Sequence, residues 1–173
     1  MVSLFPDEKS TLVMVYTQNM FMRGEVVTKQ AVRVSTWLRT QGVPEYIHLF
    51  KPTVLHFGSG VVKTQTHAEI YVPVSTVIAF HLVPSVTEEL DYAAEEMNRV
   101  MVPVTALPGT FQFKGFFRIS AMASLSTSIE LVHSEWWSIY DVDVTNPSMP
   151  QMQPMHVPIV LIKPKQISLA VEA

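Results

Sequence analysis

The chain has 173 residues, 48% of them hydrophobic and 16% charged, so it can bury a core and is not a disordered polymer. A formal charge of −3 and a pI near 6.0 supply no drive toward nucleic-acid backbones or anionic membranes. It contains no cysteine, which excludes disulfides, thiolate nucleophiles and zinc–thiolate centres.

The opening MVSLFPDEKST has no basic stretch followed by an apolar one, and no apolar run approaches the ~18 residues of a membrane span. A soluble, cytoplasmic protein is the expectation. Residues 1–10 read as a lead-in, with Pro6-Asp7-Glu8-Lys9 forming one helical turn at most. Leu12 to Thr17 (LVMVYT) is a short β-rich run, Gln18-Asn19 supplies turn chemistry, and Met20 to Val27 completes a predicted hairpin. A basic residue followed by glycine inside that second run, Arg23-Gly24, predicts a bulge or sharp bend rather than a phosphate contact. Val34-Ser35-Thr36-Trp37-Leu38 carries a Ser-Thr cap signal and predicts a helix of one or two turns ending near Gln41-Gly42. Tyr46 to Phe57 is a third strand, broken by Gly58-Ser59-Gly60. Val61 to Val74 contains a fourth, Ser75-Thr76 a tight turn, and Val77 to Val83 a fifth.

Pro84 to Asn98 sets Glu88, Glu89, Asp91, Glu95 and Glu96 around Leu90, Tyr92 and Met97. Ser85 or Thr87 can cap this stretch, and early acidic residues suit a helix N-terminus, so a short amphipathic linker helix with a solvated acidic face is predicted.

Beyond it the chain repeats itself. Glu69 to Val83 (EIYVPVSTVIAFHLV) lies on Pro158 to Glu172 (PIVLIKPKQISLAVE) at a shift of 89 positions, which sets Phe80 on Leu169 and His67 on His156. Upstream the shift becomes 91, which sets Arg23-Gly24 on Lys114-Gly115 and Val34 to Leu38 on Leu125 to Ile129. The second copy therefore predicts strands at Met101 to Val104, Phe111 to Ile119, Trp136 to Val144, His156 to Ile162 and Gln166 to Val171. Its tight turn is Lys163-Pro164-Lys165. The division is 1–83 for the first repeat, 84–98 for the linker and 99–173 for the second repeat. Units of about 80 residues are small enough that burying surface against each other aids stability.

A short helix among five short strands, with a tight turn between strands four and five, resembles the Sm-like branch of small β-barrels. The stretches MRGEV (Met22 to Val26), RVSTWLRT (Arg33 to Thr40) and AEIYVPVSTVIAFHL (Ala68 to Leu82) also resemble a bacterial family of uncharacterised domains with this barrel type. The resemblance implies a mainly β protein of two tandem five-stranded barrels, with ring or dimer assembly possible and no established activity. Barrels of this branch often join edge to edge through strands four and five. The candidate interface residues on those strands are Val72, Val74, Phe80, Leu161 and Leu169.

Sm-like RNA binders carry an acidic residue and asparagine after strand two, and an arginine-glycine pair between strands four and five. Here the first place holds Thr28-Lys29-Gln30 and Ser120-Ala121-Met122, and the second Ser75-Thr76 and Lys163-Pro164-Lys165. Trp37, Trp136, Trp137 and Tyr140 could stack on bases, but no basic track accompanies them, so nucleic acid is not the expected partner. Met149, Met152 and Met155 followed by His156 offer three thioethers and an imidazole, a ligand set suited to Cu(I). The competing reading is a proline-stiffened loop whose methionines cap the barrel or fill an interface. Asp141 and Asp143 bracket Val142, so a strand would point both to one face, an incomplete cation site by themselves. GxSxG, HExxH, P-loop and GxGxxG signatures are all missing. The sequence predicts a non-catalytic, self-associating or protein-binding module without a cofactor. An RNA-binding ring and a small-ligand or soft-metal binder are the alternatives.

Overall fold

The computed structural model describes residues 4–58, 61–93, 95–131 and 133–171. It is mainly β. Strands β1 (Glu8–Tyr16) and β2 (Met20–Lys29) precede a 3-10 turn at Val34–Arg39, then β3 (Tyr46–Gly58), β4 (Val61–Thr66), β5 (Glu69–Pro73), a 3-10 turn at Val74–Thr76, and β6 (Ala79–Leu82). The second half runs β7 (Arg99–Leu107), β8 (Gln112–Ser120), helix α1 (Leu125–Leu131), β9 (Trp137–Thr145), β10 (Met155–Ile162), a 3-10 turn at Pro164–Gln166, and β11 (Ser168–Ala170). All strands belong to one antiparallel sheet in the order β11-β7-β8-β9-β10-β6-β1-β2-β3-β4, with β5 also paired to β3. A single sheet therefore runs through both halves.

The β1–β2 hairpin forms where turn chemistry placed it, with Tyr16 opposite Phe21. Its first strand begins earlier than expected. Pro6-Asp7 is a turn, and Glu8 to Thr11 extend the ladder opposite Val26 to Lys29, which leaves no helical turn in the lead-in. Both predicted bends occur, because the β2–β3 register shifts between Arg23 and Glu25 and the β8–β9 register between Lys114 and Phe116. Val13 faces Gly24 in the first half as Val104 faces Gly115 in the second. Opposite each bend lies a left-handed residue, Lys51 (φ 45°) and Asp141 (φ 53°). The fourth run of the first half is split, and Lys51 N–H donates to the carbonyl of Ala68 across the gap between β4 and β5. Of the Gly58-Ser59-Gly60 break, Ser59 and Gly60 lie outside the described residues, as does Glu172 at the end of the repeat.

The expected linker helix is corrected. Among the described residues of 84–98 no helix forms, because tertiary partners take the groups that a helix would expose or use. The Glu88 carboxylate accepts from the Val34 and Ser35 N–H groups at 3.0 and 2.9 Å. Asp91 accepts from Arg39 at 2.6 Å and from the Tyr140 hydroxyl at 2.9 Å. Glu96 accepts from Arg118 at 2.6 Å. Met97, needed for an apolar helix face, is 94% exposed. The acidic stretch is a strap pinned at both halves. The same contacts explain why the first short helix has no side-chain cap of its own: Glu88 satisfies its leading N–H groups in place of Ser35 or Thr36. In the second half Ser124 does this locally, its hydroxyl accepting from Thr127 N–H at 3.1 Å.

Two cores flank the middle of the sheet. Val13, Val15, Phe80, Leu82 and Leu161 enter one, while Met14, Tyr16, Ala79, Val160 and Ile162 enter the other. Alternation along β1, β6 and β10 thus buries both faces, which is why those strands read as continuous apolar runs and not as alternating ones.

Candidate functional site

The halves meet where β10 pairs with β6, with Leu161 opposite Phe80 and Ile162 opposite Ala79. Two of the expected interface residues, Phe80 and Leu161, are therefore cross-strand partners within one chain, both fully buried. Lys163 locks the end of this seam. Its backbone N–H donates to Ile78 O at 2.9 Å, and its ammonium donates to Val74 O at 2.7 Å. The ammonium also lies 2.9 Å from Glu135 and 4.9 Å from the Trp136 ring centroid. A lysine with a 4% exposed side chain is tolerable only because these groups replace the lost water. The sequence reading treated Lys163 as a turn residue and missed this role; its adjacency to the apolar run of β10 was the available signal.

Beside the seam His81 and Tyr16 are buried together. The Tyr16 hydroxyl and His81 Nε2 are 2.8 Å apart, and Nδ1 lies 2.6 Å from Leu82 O. A carbonyl can only accept, so Nδ1 carries the proton and Nε2 accepts from the tyrosine. Burial pushes the His81 pKa down to about 4 and raises that of Tyr16 well above its ordinary value. Phe21, Phe111 and Phe113 pack around the Tyr16 ring with centroids 4.9, 4.9 and 5.1 Å away. The pair is a satisfied polar island in an aromatic core.

The remaining interface candidates lie toward the outside. Val72 is buried on β5, Val74 stands in the following turn, and Leu169 on β11 faces Ala106 and packs partly onto the core. Among the described residues β5 pairs only with β3, and β11 only with β7, so each has an open edge. Tyr71, on β5, is 59% exposed and was not among the expected interface residues.

The methionine–histidine stretch is divided by the strand. Met152 and Met155 pack partly buried against the core, while His156, the next residue along β10, points to the opposite, exposed face. There its Nδ1 lies 2.9 Å from Asp143 and its Nε2 3.1 Å from Asp141. The hydrogen bond to Asp143 is the main cause of a raised His156 pKa, with the charge of Asp141 adding to it. The two aspartates do share a face, and they bracket an imidazole. Met149 is half-buried in the loop. Among the described residues no group of three or more histidine and carboxylate side chains is arranged to hold a metal ion. The ladder also sets Thr66, and not His67, in the register of His156: Thr66 faces Thr53 as His156 faces Asp143.

Of the basic residues near the positions used by Sm-like RNA binders, Lys29 and Lys163 are engaged, while Lys165 is exposed in its turn. Lys29 is paired with Asp7 at 2.9 Å and Glu8 at 3.3 Å, and Lys163 lies in the seam. Trp136 and Tyr140 are buried, and Trp37 and Trp137 pack partly on the cores.

A cleft of about 190 Å³ opens in the second half between α1 and the sheet. Phe117, Leu125, Ile129, Trp136 and Trp137 line it, together with Arg39 of the first half and Arg118. Comparison with known proteins finds no family model, curated protein or solved structure that matches this chain. No helix among the described residues is long and apolar enough to cross a membrane.

Proposed function

We propose that the chain is a non-catalytic assembly module of two Sm-like five-stranded units, β6-β1-β2-β3-β5 and β11-β7-β8-β9-β10, which associates with further copies of itself through its outer strands. The internal seam carries this reading. It joins the fourth strand of the second unit, β10, to the fifth strand of the first, β6. Among the strands with a single neighbour, β4, β5 and β11, two are the fourth of the first unit, β5, and the fifth of the second, β11. These are the same two kinds of edge that already fit each other inside the chain.

The intrachain registers support one particular intermolecular register. Tyr71 faces His48 on β3 as Leu161 faces Ser138 on β9, and Leu169 faces Ala106 on β7 as Phe80 faces Val15 on β1. Repeating the seam between molecules sets Tyr71 opposite Leu169 and Val72 opposite Ser168. Such pairing covers two open backbone edges and an exposed aromatic ring. The contact is heterologous, so it closes into a ring or continues as a filament.

Size-exclusion chromatography with light scattering and dual 260/280 nm absorbance tests this. The expected result is a defined multimer with a protein-like absorbance ratio, reduced to monomer by Tyr71→Asp with an unchanged circular dichroism spectrum. A monomeric parent protein at high concentration would refute it, and a salt-removable 260 nm signal would redirect attention to RNA.

A further inference from the structure

The two halves use one sequence slot differently. Val34 and Leu38 of the first short helix correspond to Leu125 and Ile129 of α1 in the sequence repeat. Val34 is fully buried and Leu38 is 4% exposed, so the first helix seals its core. In α1 no residue is fully buried, and Ile129 is 38% exposed. The seal is ajar, and the cleft of about 190 Å³ lies beneath it. A volume near that of an engineered benzene-binding cavity, roughly 150 Å³, admits a single ring or a short acyl chain.

Its chemistry narrows the occupant. Phe117, Leu125, Ile129 and Trp137 supply an apolar wall. The indole Nε1 of Trp137 is enclosed and has no acceptor among the described residues, a donor whose desolvation is uncompensated. Two arginines, Arg39 and Arg118, belong to the lining. Arg39 engages Asp91 and Ser138 both through Nη1, and Arg118 engages Glu96 and Ala93 O both through Nη2. Each fork has five N–H donors, so neither is consumed by its acidic partner. Apolar walls, a lining tryptophan with an unpartnered indole N–H and two lining arginines match a small molecule with an apolar body and an anionic oxygen end.

We propose that the cleft under α1 binds a small organic acid, its apolar body against Phe117 and Trp137 and its carboxylate toward Arg39 and Arg118. The site lies within one chain, so it does not depend on whether copies of the chain associate.

Benzoate is the probe, titrated into ¹⁵N-labelled full-length protein while the three indole N–H resonances of Trp37, Trp136 and Trp137 are followed. A saturable shift of the Trp137 resonance is expected, with Trp37, which does not line the cleft, unmoved, and Arg39→Gln should weaken it about tenfold through loss of a charge-assisted hydrogen bond. Ile129→Phe, which enlarges a lining side chain of the cleft, is expected to abolish the shift while the indole spectrum stays dispersed. Absence of a saturable shift at Trp137 in the parent protein would overturn the site. Equal binding of benzyl alcohol, or an Arg39→Gln variant that binds benzoate as tightly as its parent, would overturn the assignment to an acid.

Discussion

Acidification offers a direct measure of how tightly the middle of the sheet is sealed. His81 is 1% exposed and neutral, donating through Nδ1 to Leu82 O and accepting from the Tyr16 hydroxyl. Burial holds its folded pKa at about 4, against 6.5 for an unburied histidine. Between those values the unfolded chain binds a proton that the folded chain does not, so stability rises with pH across this window. The contribution is fully present above about pH 6.5 and declines as pH falls toward 4. A gap of roughly 2.5 pH units at about 1.4 kcal/mol each corresponds to about 3 kcal/mol lost by pH 4. That is a large part of the stability of an ordinary domain, about 5–15 kcal/mol. Urea unfolding between pH 7 and pH 4, followed by tryptophan fluorescence, measures it. The reference is the double variant Tyr16→Phe/His81→Leu, which removes the titration without leaving an orphaned hydroxyl. Carboxylates such as Glu88, whose N–H partners hold its pKa down despite burial, titrate equally in both proteins and cancel. The difference between parent and variant should change by about 3 kcal/mol over the range. Parallel curves would refute the reasoning and mean that the imidazole is reached by water.

Two further predictions concern the bends and the seam. A Cβ added at Gly115 would lie 2.7 Å from Tyr140 O and 2.9 Å from methyl groups of Ile139 and Val142, whereas at Gly24 the nearest atoms are 3.2 to 3.3 Å away. Gly115→Ala should therefore cost about 1–3 kcal/mol and Gly24→Ala clearly less, read as urea midpoints; an equal cost would show that both bends relax freely. Lys163→Met keeps the stem but leaves Val74 O without its 2.7 Å donor, so a loss of about 1–3 kcal/mol is expected by the same measurement. An unchanged midpoint would mean that the ammonium does not hold the seam.

Much of the local structure is legible in the residues themselves. LVMVYT and MFMRGEVV pair because β-branched and apolar runs flank a polar turn, and the basic-glycine step marks the bend at Gly24 and again at Gly115. Helix signals were less dependable. The strap at 84–98 has caps, early acids and apolar positions, yet Arg39, Arg118 and the N–H groups of Val34 and Ser35 offer its carboxylates better partners than solvent does. Those partners are brought near only by folding. In the methionine–histidine stretch, spacing along the chain does not say which neighbours share a face, and the strand sets Met155 and His156 on opposite sides.

Residue order alone was enough for a β-rich chain and for the places of its first hairpin turn and its two bends. Tertiary structure alone decided that β10 docks on β6, that Lys163 and the Tyr16–His81 pair are buried there, and that one short helix seals its core while the other leaves a cleft. Periodicity and turn chemistry act within a few residues. A strand edge, by contrast, presents the same N–H and C=O groups to any partner, and the choice among partners rests on side chains that meet only once both faces are packed.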